Sequence, residues 1–268
     1  MSFEKFELHA KILAGVEALG YKKPTPIQLQ SILPIMQGRD VMGLAQTGTG
    51  KTAAFVLPML QRLMQKERGY VRALIIAPTR ELSEQTHTAI MQLGRKTKLR
   101  SVSVYGGVNI NGQISKLRNS VDIISACPGR LLDHIHRGTV DLSRIEMLVL
   151  DEADHMFDMG FLPDIRKIVK HLPAQRQTLL AALEAQVIAP MRATQALFDG
   201  SAYVTRLYTT LSASEMTLDP TFDFNPGLPS VNNVHMADRV IFCSPDHSFQ
   251  TAPWLARPCT TRRAPGPV

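Results

Sequence analysis

The chain has 268 residues, of which 44% are hydrophobic and 20% charged, and it carries a formal net charge of +7 at pH 7. This composition is ordinary for a globular chain, and the length admits one or two domains. No run of apolar residues is long enough to span a bilayer, and the start Met1-Ser2-Phe3-Glu4-Lys5 lacks a secretory apolar core. Cys127, Cys243 and Cys259 are too few and too scattered for a disulfide framework or a zinc site. The expectation is a cytoplasmic chain with no membrane partner. The charge is unevenly placed: residues 1–170 hold 23 Lys and Arg against 16 acids, whereas residues 171–268 hold 7 Arg, no Lys and 7 acids. The whole positive excess therefore lies on the first part, as suits a module that binds a polyanion.

In chain order, an apolar strand is predicted at 41–45 and a helix at 51–64, joined by Ala45-Gln46-Thr47-Gly48-Thr49-Gly50-Lys51-Thr52. Gly48 and Gly50 let the backbone curl so that successive N–H groups point inward, which makes the segment a phosphate-gripping loop. Lys51 adds a point charge for the β- and γ-phosphates, and the Thr52 hydroxyl is a candidate ligand for Mg²⁺. Ala45 stands where the usual pattern has Gly, but the strand–loop–helix context is the one this loop requires. Further strands are predicted at 71–77, 100–104, 121–126, 147–150 and 178–181. Helical patterns at 81–94, 129–137 and 163–171 alternate with them. Such alternation predicts a parallel sheet covered on both faces, and about 180 residues suffice for a full core. The strand at 147–150 runs into Asp151-Glu152, delivering two carboxylates to the edge where α/β folds bind ligands. Asp151 is the second candidate metal ligand, and Glu152 the group that polarises a water for attack on the γ-phosphate. Lys51, Asp151 and Glu152 are accordingly the catalytic candidates.

Other stretches fall into a recognisable order around these two. They are Gly20-Tyr21-Lys22-Lys23-Pro24-Thr25-Pro26-Ile27-Gln28, Ala77-Pro78-Thr79-Arg80-Glu81-Leu82, Gly106-Gly107, Cys127-Pro128-Gly129-Arg130 and Asp151-Glu152-Ala153-Asp154. Over about residues 2–181 the chain resembles the DEAD-box ATP-dependent RNA helicases. The resemblance implies an α/β fold, a parallel-sheet RecA-like P-loop NTPase domain using ATP and Mg²⁺, and RNA as partner. It implies that Gln28 reads adenine, with Tyr21, Thr25 and the isolated Phe3 nearby. A side-chain amide can both donate to and accept from an adenine edge. Gln46, Thr47, Gly48, Thr49, Gly50, Lys51 and Thr52 would hold the rest of the nucleotide. Pro78, Thr79 and Arg80, then Gly106 and Gly107, then Pro128, Gly129 and Arg130 would grip the RNA backbone. Contacts of that kind go to phosphate and 2′-hydroxyl groups, so binding would be weakly sequence-specific and steeply salt-dependent. Two positions depart from the family pattern here: Ser83 where Ala is usual, and Cys127 in place of Thr, which removes a hydroxyl.

The resemblance fails after about residue 181. Where the family has Ser-Ala-Thr, this chain reads Ala181-Ala182-Leu183-Glu184-Ala185, without the hydroxyls that tie the acid cluster to the RNA-bound conformation. Ten of the 17 prolines fall in residues 171–268, and Pro253, Pro258, Pro265 and Pro267 crowd the end. The expected division is a RecA-like ATP-binding domain at 1–181 and a divergent, irregular or partly disordered C-terminal segment at 182–268. Within that segment a helix is conceivable at 182–198 and a partial edge strand at 201–211. Nothing in it resembles the His-Arg-x-Gly-Arg-x-x-Arg pattern that supplies arginine fingers in full-length relatives, so no second RecA-like domain is expected. A frame-disrupted or truncated reading frame would explain so abrupt a loss. Two functions follow: a truncated RNA helicase with weak ATP hydrolysis on its own, or a nucleotide-holding, RNA-binding module without productive turnover.

Overall fold

Each apolar run becomes a strand of one sheet in the computed structural model, which describes residues 2–65 and 69–182, and three backbone strands beyond them. A 3-10 turn, Phe3–Phe6, leads into α1 (Ala10–Ala18) and α2 (Pro26–Met36), both packed ahead of the first strand. There follow β1 (Asp40–Leu44), α3 (Lys51–Leu63), β2 (Ala73–Ile76), α4 (Arg80–Leu93), β3 (Ser101–Val104) and α5 (Ile110–Leu117). Then come β4 (Ile123–Ala126), α6 (Pro128–His136), β5 (Met147–Leu150), α7 (Ala153–Asp158), α8 (Leu162–Val169) and β6 (Gln177–Ala182). The three later strands are β7 (Val204–Tyr208), β8 (Arg239–Cys243) and β9 (Phe249–Thr251).

The sheet order is β3-β4-β2-β5-β6-β1-β7-β8-β9. Every pairing from β3 across to β7 is parallel, and β7–β8 and β8–β9 are antiparallel. The strand foreseen near 201–211 is thus β7, and it lies between β1 and β8 rather than at an edge. Residues 183–198, foreseen as a helix, lie outside the described residues, while Ala182 ends β6.

Side chains of successive strand residues point to opposite faces, and both faces are covered, so the strands read as unbroken apolar runs. Ala73, Ile75, Met147, Val149 and Leu179 pack with α1, α2 and α3 in one core. Leu74, Ile76, Leu148, Leu150, Leu180 and Ala182 pack with α6, α7 and α8 in the other. A close approach joins α1 to α4: a Cβ on Gly15 would lie 2.1 Å from the Leu93 carbonyl oxygen. The predicted strand 71–77 is shorter in the structure, Ala73–Ile76; just before it Arg72, fully buried, donates to the Leu63 carbonyl at 2.8 Å and pairs with Asp122 at 3.3 Å.

Register decides where function can sit. Leu44 pairs with Ala182, Leu150 with Ile76, and Ala126 with both Ile76 and Val104. Parallel strands so aligned release their C-terminal residues along a single edge, where the segments after β1, β2, β3, β4 and β5 all emerge.

Candidate functional site at the carboxyl edge of the sheet

The segment after β1 turns sharply and enters α3. Gly48 and Gly50 have φ of 82° and 92°, a left-handed backbone open to glycine at little cost. Thr49 Oγ1 donates to the Gln46 carbonyl at 2.7 Å and closes the turn, leaving Gln46, Thr47 and Gly48 exposed. Gly50 has a second reason to be glycine, since a Cβ there would lie 2.5 Å from Gln28 Nε2. Gln28 is only 3% exposed. Its Oε1 accepts from the Thr25 N–H at 3.0 Å, and its Nε2 donates to the Gly50 carbonyl at 3.2 Å. The amide thus couples the start of α2 to the curl of the loop. Phe3 is buried and stacks on Tyr21 at 6.4 Å between centroids, which leaves Tyr21, 40% exposed, as the accessible ring of the pair.

Lys51 opens α3 and is buried. Its ammonium donates to the Ala45 carbonyl at the base of the loop. Burial pulls its pKa down, and the charges of Asp151, Glu152 and Asp154 oppose that fall. The phosphate-type loop and the acid cluster therefore share one electrostatic neighbourhood, although β6 separates their strands. Asp151 is buried, and its carboxyl is pushed up to about 6 by burial first and by Glu152 second, with Lys51 and Thr86 pulling the other way. Thr86 Oγ1 donates to Asp151 Oδ2 at 3.3 Å. Glu152 sits at φ 50° and ψ 51°, a left-handed conformation that costs a non-glycine residue on the order of 1 kcal/mol. That kink starts α7 and sets Glu152 near His155, at 3.6 Å.

Thr52 and Asp151 offer a hydroxyl and a carboxylate, the hard oxygen donors that Mg²⁺ takes. Among the described residues no group of three or more His, Cys, Asp or Glu could hold a metal alone. This donor set therefore fits a cation that brings phosphate oxygens and water as its remaining ligands.

Further along the same edge, Thr79 caps α4, accepting from the Leu82 N–H at 3.3 Å, and Arg80 lies over the Tyr105 ring at 4.9 Å. Ser83 is explained by its buried partner: its hydroxyl and that of Ser125 lie 3.2 Å apart, while Ser125 Oγ donates to the Ser83 carbonyl at 2.9 Å. Gly107 has φ 79° in the turn after β3. Pro128 opens α6 after Cys127, whose side chain makes no cap bond and whose thiol is pushed up to about 11 by burial and Glu81. Arg130 is largely internal, bonding the Val108 carbonyl at 3.0 Å and Gln113 Oε1 at 3.2 Å. Thr86, Gln113 and His134, which complete these arrangements, carry no sequence signal of their own. They lie inside helices and meet the motifs only across the fold.

Comparison with known proteins places this geometry in context. A family model described as DEAD/DEAH box helicase matches residues 25–182. An ATP-dependent RNA helicase CshA of Listeria monocytogenes is 49% identical over 178 residues, covering 66% of this chain and 34% of that protein. The DEAD-box ATP-dependent RNA helicase CshA of Geobacillus kaustophilus is 43% identical over 179 residues, covering 67% of this chain and 38% of that protein. A crystal structure of a DEAD box protein from the hyperthermophile Methanococcus jannaschii superposes with a TM-score of 0.70 at 32% identity, covering 77% of this chain and 56% of that one. The chain spans about a third of the length of the curated relatives it matches.

Proposed function

The chain belongs to the DEAD/DEAH box helicase family, and from that membership we propose that it is an ATP- and RNA-binding lobe of an RNA helicase that turns ATP over slowly by itself. In this reading residues 1–181 form the RecA-like ATP-binding domain. The observation that carries the reading is the shared edge: a left-handed glycine loop, a buried lysine and two acids lie within electrostatic reach of one another. Backbone N–H groups of Gln46–Gly50 and of the first turn of α3 cradle the phosphates. Lys51 then exchanges its Ala45 carbonyl for the β- and γ-phosphate oxygens. Thr52 and Asp151 would hold Mg²⁺, which would supply charge to neutralise the phosphates. Glu152 orients the attacking water and takes its proton. Gln28, with Thr25, Tyr21 and Phe3, flanks the adenine, and the base exchanges places with an internal partner of the Gln28 amide. Thr79, Arg80, Gly106, Gly107, Gly129 and Arg130 face the RNA backbone, and the buried Pro78 and Pro128 shape the turns that carry them.

The expectation of slow turnover rests on one motif. Arginine fingers contribute about 10³–10⁵ in rate in phosphoryl-transfer enzymes, and this sequence carries no such motif. One observation favours a pure binding module instead: Ala182, fully buried at the end of β6, puts a methyl where the family has a hydroxyl. Steady-state ATP hydrolysis with and without single-stranded RNA separates the two. Turnover that rises with RNA and drops about 10²-fold or more in Glu152→Gln supports an enzyme. Saturable nucleotide binding with no turnover dependent on Glu152 supports the module. Absence of saturable Mg-ATP binding in the wild type, or full retention of it in Lys51→Ala, would defeat both.

A further inference from the structure

We propose that Gln113 is a positioning residue for the RNA-facing edge: one buried side-chain amide that sets the glycine turn after β3 against the first turn of α6. The inference rests on the reading that this edge meets RNA, and it concerns a residue that cannot touch RNA itself, being 5% exposed.

The amide reaches both sides of the edge. Gln113 Nε2 donates to the Tyr105 carbonyl at 2.9 Å, immediately before Gly106. Gln113 Oε1 accepts from Arg130 Nη1 at 3.2 Å and from His134 Nε2 at 3.1 Å, both on α6. Arg130 Nη1 also donates to the Val108 carbonyl at 3.0 Å, immediately after Gly107. The two carbonyls that flank the glycine pair are thus tethered, one directly by Gln113 and the other by the guanidinium that Gln113 holds. Gly106 and Gly107 stay exposed between the two anchors.

The polarity of this hub is determined. The Tyr105 carbonyl and the guanidinium leave the Gln113 amide a single satisfactory orientation, because the flipped one would set NH₂ against a donor. With Oε1 facing it, His134 must present Nε2–H. Its Nδ1 lies 2.8 Å from Thr139 Oγ1, whose single proton is shared between Nδ1 and the His134 carbonyl at 3.1 Å. Burial, aided by the Arg130 and Arg137 charges, lowers the His134 pKa, in keeping with that neutral tautomer. His134 is the backstop that keeps Oε1 aimed at Arg130.

Exposed glycines bind phosphate well only if the turn is already in shape, since ordering a free backbone on binding costs conformational entropy. Gln113→Met keeps the length and removes the polar atoms. Gln113→Glu keeps the acceptor for Arg130 and His134 but cannot donate to the Tyr105 carbonyl. The probe is a fluorescein-labelled oligouridylate, titrated by anisotropy on the full chain, with a fluorescent ATP analogue as the control for the distant nucleotide loop. Both variants are expected to weaken RNA binding about tenfold while changing nucleotide affinity less than twofold. A merely structural loss would lower both affinities together, and that result overturns the inference, as does RNA affinity within twofold of wild type in both variants. Hydrogen exchange on the wild type gives an independent measure. Amides of 105–109 and 128–131 should gain protection together on RNA addition, and protection of one segment without the other counts against coupling. If the wild type binds no oligouridylate, the RNA reading of the edge falls, and this inference with it.

Discussion

Asp40 illustrates how a single residue can tie strand geometry to pH. It is buried at the start of β1, where its Oδ1 accepts from the Thr178 N–H at 2.7 Å. Burial raises its pKa to about 7, against the pull of that hydrogen bond and of Arg176. The carboxyl therefore holds its proton more tightly folded than unfolded, where it titrates near ~4. Its contribution to stability is complete below about pH 4 and is lost as pH rises through the folded value of about 7. Three units correspond to about 4 kcal/mol at the limit. Asparagine keeps the acceptor for Thr178 and carries no charge. Asp40→Asn should therefore gain about 2–3 kcal/mol more over the wild type at pH 8 than at pH 5. Denaturant melts at the two pH values measure this, and equal gains at both would refute it. Asp151, raised to about 6, titrates in the same direction, so the difference between variant and wild type isolates Asp40.

At the scale of elements, two glycines of opposite character test the packing. Gly15 on α1 faces the α4 backbone, and its added Cβ would meet Leu93 O, C and Cα at 2.1, 2.7 and 2.9 Å. Backbone cannot swing aside as a flexible side chain can, so Gly15→Ala must push the helices apart at a cost of about 2–3 kcal/mol. Gly43 lies inside β1, where an added methyl would meet Ile27 Cδ1 at 3.6 Å and the Leu180 carbonyl oxygen at 3.9 Å, ordinary contact distances. Gly43→Ala should stabilise by about 0.5–1 kcal/mol, because alanine loses less chain entropy on folding. Thermal melts of the two variants should move in opposite directions; a shift of the same sign in both would show that these contacts do not control the packing. α5 makes a related point. Its sequence Ile-Asn-Gly-Gln-Ile-Ser-Lys-Leu has weak helix propensity, and Asn109 caps it by accepting from the Asn111 N–H at 2.9 Å. Gln113 then locks it to the sheet edge.

For the whole molecule, the positive excess lies on residues 1–170, the part of the chain that also carries the proposed site. If Arg80 and Arg130 are the cations that meet phosphate, the logarithm of the RNA association constant should fall with the logarithm of salt at a slope of about −1.4. Anisotropy titrations between low and physiological salt would measure it, and a slope near zero would remove the phosphate contacts from the proposal. Much of this was legible in the linear chain. Buried parallel strands are short apolar runs, so β1, β2, β4 and β5 could be placed within a residue or two. The phosphate-type loop and the Asp151-Glu152 pair could be named because their chemistry needs neighbouring residues in a local backbone shape. Other features were decided only when the chain closed on itself. The placement of β7 between β1 and β8 came from sheet pairing, and the burial of Arg72 beside Asp122 from contact between segments 50 positions apart. The bonds of Gln28 to Gly50 and of Arg130 to Val108 and Gln113 join residues 17 to 22 positions apart. No periodicity encodes such pairs, because their partners become neighbours only after parallel strands bring distant loops to one edge.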